Sequence, residues 1–261
     1  MNFIVCVKQV PATTDVKINP ETNTLIREGV EAIVNPFDLY AVEEAVSLKE
    51  QFGGNVTALS MGPPQASAAL KETISVGVDD AVLLSDRNFG GSDTLATAYT
   101  LARAIKKIGN YDMILCGYQA IDGDTAQVGP GIAEELGLPC VTYVKKIREV
   151  KDGLVTLERM METGFQVIEV KLPILITVVK DINTPRLPGI RGKMKARKAE
   201  IPTWTAADIA CEMDRIGQPG SPTWVRKIFA PPKKNSGKIL SGEISAQAKE
   251  LTEELKRLQL I

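Results

Sequence analysis

The sequence predicts an α/β protein: a doubly wound, mostly parallel sheet with an antiparallel hairpin region and an extended C-terminal arm. Three observations carry this. In the first half, short apolar runs alternate with segments of helical periodicity, the pattern of βαβ units. From residue 141, three runs of two-residue alternation follow one another across turn residues. From about Asp181 the prolines recur, and Lys and Arg cluster from Arg186 to Lys198.

The elements follow in order. Phe3 to Val7 is an apolar first strand. Asn35-Pro36-Phe37-Asp38 opens a helix with Leu39, Val42, Val46 and Leu48 as apolar positions, and Asn35 or Asp38 is a candidate cap. Val56–Met61 and Ala81–Leu84 read as strands, with helices over Gln65–Val76 and Asp93–Lys107. Met113–Cys116 is the next strand, and the stretch GYQAIDGDTAQVGPGIAEELG leads from it into another helix. VTYVKKIREV, LVTLERMM and FQVIEVKL then read as an antiparallel meander, its first turn marked by Asp152-Gly153. Pro173 introduces ILITVV, apolar enough for a central strand. A last amphipathic helix, about Glu243 to Leu260, carries Leu251, Leu255 and Leu258. This divides the chain into an α/β domain over 1–185 and an arm over 186–261.

Composition narrows the function classes. The 261 residues carry a formal net charge of −1, which gives no support for nucleic acid as the main partner. No apolar run reaches the ~18 residues of a membrane span. The N-terminus lacks the features of a signal peptide, so a cytoplasmic location is expected. There is no histidine, which removes the imidazole base and the commonest metal ligand. Cys6, Cys116, Cys140 and Cys211 are widely separated and read as buried thiols, so no metal site is expected.

In an open parallel sheet, ligands bind beyond the carboxyl ends of the strands near the topological switch point. Four loops qualify: Gln9–Asp15, Met61-Gly62-Pro63-Pro64, Asp86–Asp93 and the stretch after Met113–Cys116. None carries a dinucleotide or phosphate-loop fingerprint. Nucleotide binding through backbone N–H groups at a helix start stays open, with Gly62 and Gly123 permitting close approach or positive φ. Gly129 lets a phosphate or another backbone come near, Thr125 is a candidate cap, and Gln127 is a candidate donor. The plain alternative is that Asp122-Gly123-Asp124-Thr125 is a turn and cap. Asn35–Asp38 has the same two readings: a cap, or Asn35 on a base edge and Asp38 on a ribose. Gly90-Gly91-Ser92-Asp93-Thr94 reads by itself as a loop with a capped helix. RLPGIRGKMKARK is either a solvated loop or, with apolar side chains ringed by cations, a docking surface for an acidic partner.

Together these segments resemble the beta subunit of electron transfer flavoprotein over nearly the whole chain. VCVKQV, NPFD with AVEEAVSLKE, GPPQ and GYQAIDGDTAQVG carry the likeness. So do Arg159, Glu162, Gly164, Gln166 and Ile168 followed by KLPILIT; Leu157 and Thr163 depart from the pattern on a strand and in a turn. The resemblance implies an adenine nucleotide alpha hydrolase-like fold and a heterodimer with a larger alpha subunit, whose own FAD serves dehydrogenases or a quinone reductase. Ordinary members hold AMP in the beta subunit. In the electron-bifurcating subgroup that site holds FAD, which takes hydride from NADH and divides the electrons. One electron goes to ferredoxin or flavodoxin, the other through the alpha-subunit FAD to a flavin-dependent dehydrogenase. Ordinary loops tend to read DDDxNQTGQ. Here Thr125-Ala126-Gln127-Val128-Gly129, with GGSDTLATAYTLA, is similar to the bifurcating or nitrogen-fixation-associated subgroup.

What the resemblance implies for sites is specific. Asn35, Pro36, Phe37 and Asp38 flank the adenosine, and Cys6, Met61 and Gly62 line it. Gln119, Ala120, Asp122, Gly123, Asp124, Thr125 and Ala126 form the loop, with a carboxylate on the ribose or in loop structure. Gln127, Val128 and Gly129 meet phosphate. Lacking a lysine nearby in sequence, the loop is expected to hold pyrophosphate mainly through backbone N–H and the helix dipole. Gly90, Gly91, Asp93 and Thr94 form the NADH side. Leu187, Ile190, Met194 and Lys195 dock the dehydrogenase, and the terminal helix packs on the alpha subunit. A stand-alone ATP- or AMP-binding module of the stress-protein type is the remaining alternative, and the unattached arm argues against it.

Overall fold

A computed structural model describes residues 1–12, 32–226 and 237–261. β1 (Asn2–Cys6) is followed by a two-stranded antiparallel ribbon, β2 (Gln9–Pro11) with β3 (Ala32–Val34), and by α1 (Pro36–Phe52). The alternation continues through β4 (Asn55–Met61), α2 (Ser67–Ser75), β5 (Asp80–Leu84), α3 (Thr94–Ile108), β6 (Met113–Gly117) and α4 (Val128–Leu136). β7 (Cys140–Lys151), β8 (Leu154–Met161) and β9 (Gly164–Lys171) form the meander, followed by β10 (Ile174–Val178), α5 (Ile190–Lys198) and β11 (Thr203–Trp204). A separate unit over 227–261 contains α6 (Ile244–Arg257).

The strands of the first unit form one nine-stranded sheet in the order β11-β5-β4-β1-β6-β10-β7-β8-β9. Pairing is parallel from β11 to β7 and antiparallel from β7 to β9. The chain leaves β1 on one side for β4 and β5 and returns on its other side at β6. The switch point is therefore between β1 and β6. β1 shows why both faces are covered: Phe3, Val5 and Val7 enter the core with α1, α2 and α5, while Ile4 and Cys6 enter the core with α3 and α4. β10 is buried along its whole length between β6 and β7, as its unbroken apolar run predicts.

β7 changes partners along its length. Its first residues pair parallel with β10, and from Val144 it pairs antiparallel with β8, with register shifts between Val144 and Lys146 and between Ile147 and Glu149. The added twist of such bulges re-aims a strand, and Tyr143 sits beside them at φ 58°. The β7–β8 turn puts Asp152 at φ 52° and Gly153 at φ 76°, the left-handed pair that an Asp-Gly hairpin turn requires.

Residues 186–226 differ from the extended arm expected there: the compact unit continues to Arg226. α5 packs on α2, β11 adds an edge strand beside β5, and Ala206, Ile209 and Ile216 are buried in the core with α3. The apolar residues that do this are isolated and irregularly spaced, so no period in the sequence announces them. The expected terminal helix forms over Ile244–Arg257, and Lys238 pairs with Glu250 at 2.6 Å in the same unit. Prolines 231 and 232 and the 13–15 end of the Gln9–Asp15 loop lie outside the described residues. Among the described residues no helix is long and apolar enough to cross a membrane.

Gly153→Ala is expected to lower stability by about 1 kcal/mol, because only glycine adopts its φ without a Cβ penalty. Denaturant unfolding measures this, and an unchanged midpoint would contradict the turn geometry.

Candidate functional site

The carboxyl ends of β1 and β6 and the start of α1 meet at the switch point, and Asn35 and Asp38 join them. Asn35 is 1% exposed. Its amide nitrogen donates to Asp38 Oδ1 at 2.9 Å and to the Gln119 carbonyl at 2.9 Å, and its oxygen accepts from Ile121 N–H at 3.2 Å. Asp38 Oδ2 accepts from Lys8 N–H at 2.7 Å, and the Gly117 N–H also bonds to this carboxylate. Gly117 is required for the approach: a Cβ there would lie 2.4 Å from Asp38 Oδ1. Asn35 occupies the N-cap position of α1, but its side chain makes no capping bond. It is committed instead to the loop after β6: both of its N–H donors are in use and the side chain is buried.

Burial pushes the Asp38 carboxyl up to about 7, against the hydrogen bonds from Lys8, Asn35 and Gly117 and the Lys8 charge. Its partners are all donors, so a protonated Asp38 has to give up one of these bonds.

The loop itself closes on the Ala120 carbonyl, which accepts from Gly123 N–H at 3.3 Å and Asp124 N–H at 2.8 Å. The left-handed residues are Asp124 (φ 54°) and Ala126 (φ 55°), and not Gly123. Non-glycine residues in this conformation cost about 1 kcal/mol or more and persist where surrounding structure imposes them. Thr125, expected as a cap, is exposed between them; α4 begins after Gln127, again without a side-chain capping bond. Val128 and Gly129 are the first residues of the helix, and their N–H groups have no acceptor among the described residues. Pro130, third in the helix, has no N–H to satisfy. The missing Cβ of Gly129 faces β10: one there would lie 2.6 Å from Thr177 Cγ2. Glycine at 129 therefore serves helix-on-sheet packing.

The loop also gains a cation from the end of β1. Lys8 Nζ lies 2.6 Å from Asp122 Oδ1. Lys8 is far away in sequence, so only the fold brings it here, although its place just after a buried strand at a switch point was a usable signal. Asp122 is thereby tied to Lys8, whereas Asp124 lies near Tyr118. Tyr118 packs edge-on against Phe37 with ring centres 4.6 Å apart and tilted against Tyr143 at 5.4 Å. The sequence reading missed this aromatic row because its members come from three elements.

Met61 ends β4 and Gly62 follows it; the Gly62 N–H is bonded to Leu84 of β5, and Gln9 reaches the Gln65 carbonyl nearby in the chain. Cys6 and Cys116 are register partners on β1 and β6, both buried. The hydrogen bond with Cys6 and burial hold the Cys116 thiol well above its ordinary range, and burial pushes Cys140 up to about 11. Neither is a thiolate near neutral pH.

Among the described residues the Gly90–Thr94 segment is hydrogen-bonded to this site by Thr94 Oγ1 to Gln127 Oε1 at 3.2 Å. Its other polar groups bond to residues 87–89 just before it, to the first turn of α3, or to residues 217–223. Asp93 caps α3 and accepts from Thr223 N–H and Oγ1, Gly217 N–H donates to Ser92 Oγ, and Gln218 N–H donates to the Gly90 carbonyl. Leu187, Ile190 and Met194 are 89%, 81% and 56% exposed, far from being core residues. Lys195 points elsewhere, donating to the Val78 carbonyl at 3.0 Å.

The acceptor-free backbone donors at the start of α4, the Lys8 ammonium, the Thr125 hydroxyl and the carboxylates of Asp122 and Asp124 are the groups this loop offers an anionic, hydroxyl-bearing ligand. Asp38 gives the site a pH signature. Its folded pKa lies above its unfolded value, so its contribution to stability is full below about pH 4 and is lost as pH rises through about 7. The stability of the wild type relative to Asp38→Asn is expected to fall by roughly 2 kcal/mol between pH 5 and 8. Thermal unfolding across that range measures it, and a rising difference would contradict the assignment.

The electron transfer flavoprotein domain family matches residues 22–209. The chain is 54% identical over 250 residues to the electron transfer flavoprotein subunit beta of Megasphaera elsdenii, covering 93% of this chain and 92% of that protein. It is 47% identical to the caffeyl-CoA reductase-Etf complex subunit CarD of Acetobacterium woodii over the full length of both. It is 46% identical to the protein FixA of Bradyrhizobium diazoefficiens, covering 95% of this chain and 89% of that one. A nine-stranded sheet with a donor-lined loop at its switch point, matched at this identity over nearly its whole length, makes the chain a member of the electron transfer flavoprotein family, of the beta-subunit type.

Proposed function

We propose that the chain is the beta subunit of a cytoplasmic, electron-bifurcating electron transfer flavoprotein, paired with a larger alpha subunit, and that its switch-point site holds FAD. The observation that carries this is the loop 122–129: its Thr-Ala-Gln-Val-Gly wording, with Val128 and Gly129 N–H groups that have no acceptor among the described residues, and Lys8 held at Asp122 of the same loop. The name of the Acetobacterium woodii relative, a subunit of a caffeyl-CoA reductase-Etf complex, supports a role in passing electrons to a reductase. FAD, when bound, supplies the hydride and electron chemistry, so the chain needs no acid or base of its own. Val128, Gly129 and Lys8 hold phosphate. Asp124 and Thr125 face the ribose. Asn35 and Asp38 keep the loop in place, with Phe37 beside the adenosine. Gly90–Thr94 borders the approach of NADH, ferredoxin or flavodoxin receives one electron, and Leu187, Ile190 and Met194 dock a flavin-dependent dehydrogenase. AMP as a structural ligand in the same site is the second reading, favoured by the ordinary members of the family.

Cofactor content separates the two. The purified heterodimer is expected to release two FAD; one FAD with one AMP overturns the bifurcating reading. Lys8→Met is expected to weaken binding at this site about ten-fold, roughly 1.4 kcal/mol, without loss of fold. Nucleotide titration against the wild type measures this, and equal affinity would remove Lys8 from the site. Ile190→Ala is expected to raise the KM for the dehydrogenase while the bound nucleotide stays.

A further inference from the structure

The docking segment carries an unusual pair of attachments. On its N-terminal side, Arg186 is laid against α1: Nε and Nη2 donate to the two oxygens of Glu43 at 2.9 Å each, its backbone N–H donates to Glu43 at 3.0 Å, and Nη2 reaches Glu50 at 3.0 Å. Burial opposes ionisation of Glu43, yet the bonds from Arg186 hold its carboxyl below the ordinary range. Just before it, Asn183 donates to the Tyr40 carbonyl at 3.0 Å and to Glu44 at 2.9 Å. On the C-terminal side, α5 is seated on the end of α2. Gly192 comes so close that a Cβ would lie 2.0 Å from the Ser75 carbonyl oxygen. Ala196 is buried, and Lys195 bonds to the Val78 carbonyl.

Between these attachments Leu187, Ile190 and Met194 project into solvent. Arg191, Lys193, Arg197 and Lys198 surround them, all exposed and making no ion pair among the described residues. The two cations of the stretch that bond within the protein, Arg186 and Lys195, thus have a different task from the four that make no ion pair among the described residues. Three large apolar side chains held in water without a cover are costly to keep in place, and rigid attachment reduces the entropy lost when a partner covers them. The ring of cations selects a partner whose apolar pocket is rimmed by carboxylates.

We propose that Arg186 and Lys195 are positioning residues: they staple the segment 187–194 at both ends, so that its apolar side chains meet an acidic-rimmed pocket of a flavin-dependent dehydrogenase already in their bound arrangement. This rests on the docking reading given under Proposed function. The staple acts on association and leaves the electron transfer step of the formed complex alone, so it governs KM and not kcat.

The test uses the full heterodimer with its nucleotides bound, in four forms: wild type, Ile190→Ala, Arg186→Met and Lys195→Met. Limited trypsin cleavage after Arg191 and Lys193, with hydrogen exchange of 187–198, reads the order of the segment. Arg186→Met and Lys195→Met are expected to speed cleavage about ten-fold, Ile190→Ala to leave it unchanged. With a flavin-dependent acyl-CoA dehydrogenase that the wild-type complex reduces as probe, all three variants are expected to raise KM at unchanged kcat and unchanged nucleotide content. If Ile190→Ala leaves KM as it was, the docking reading fails. If Ile190→Ala raises KM while both Arg186→Met and Lys195→Met leave cleavage and KM at wild-type values, the staple fails and the docking reading stands. Should Arg186→Met not fold, because Glu43 is left buried without its cation, Lys195→Met decides alone: normal cleavage and KM in that variant overturn the proposal.

Discussion

Asp38 and Asn35 hold together the end of β1, the start of α1 and the chain leaving β6. Each bond is local, but the segments come from residues 8, 35–38 and 117–121, which meet only because the chain crosses back over β1 to begin β6. A switch point opens a crevice between two diverging connections, and the chain leaving the carboxyl ends of the strands there has backbone groups that the sheet does not pair. The Asn35 amide and the Asp38 carboxylate satisfy those groups with little exposure to water. The loop after Gln119 therefore starts from a fixed point, and its strained residues Asp124 and Ala126 stay where the surrounding structure puts them.

That arrangement assigns the polar residues of the site to different tasks. Asn35 and Asp38 are used up in support, whereas the first N–H groups of α4 have no acceptor among the described residues and the Lys8 ammonium is held at Asp122. Gly129 and Gly131 bring α4 close to β10 and α3; a Cβ at 131 would come within 2.8 Å of Ala98. The helix start is thereby positioned by packing.

The fold was legible because periodicity is a local property. The apolar run after Pro173 has to be a buried strand, Asp152-Gly153 has to turn, and the helical stripes of α1 and α3 need a sheet face. The segment 186–226 was not legible, since Ala196, Trp204, Ala206, Ile209 and Ile216 are too sparse to form a pattern and find their places only on surfaces made by other elements. The candidate site was half legible. The loop and the NPFD motif are contiguous and could be named, but which of their groups face inward could not.

Alone, then, the amino-acid sequence determined the class of fold, the strand-to-loop positions where a ligand could lie, and the absence of imidazole chemistry, because each depends on residue type and short-range spacing. Tertiary structure decided the roles. It turned Asn35 and Asp38 into supports, delivered Lys8 to Asp122, gave the missing Cβ of Gly129 to Thr177, and separated bonded Arg186 and Lys195 from the exposed cations around Ile190. Those outcomes depend on distances between segments far apart in the chain, and such distances are fixed only when the sheet closes around β1.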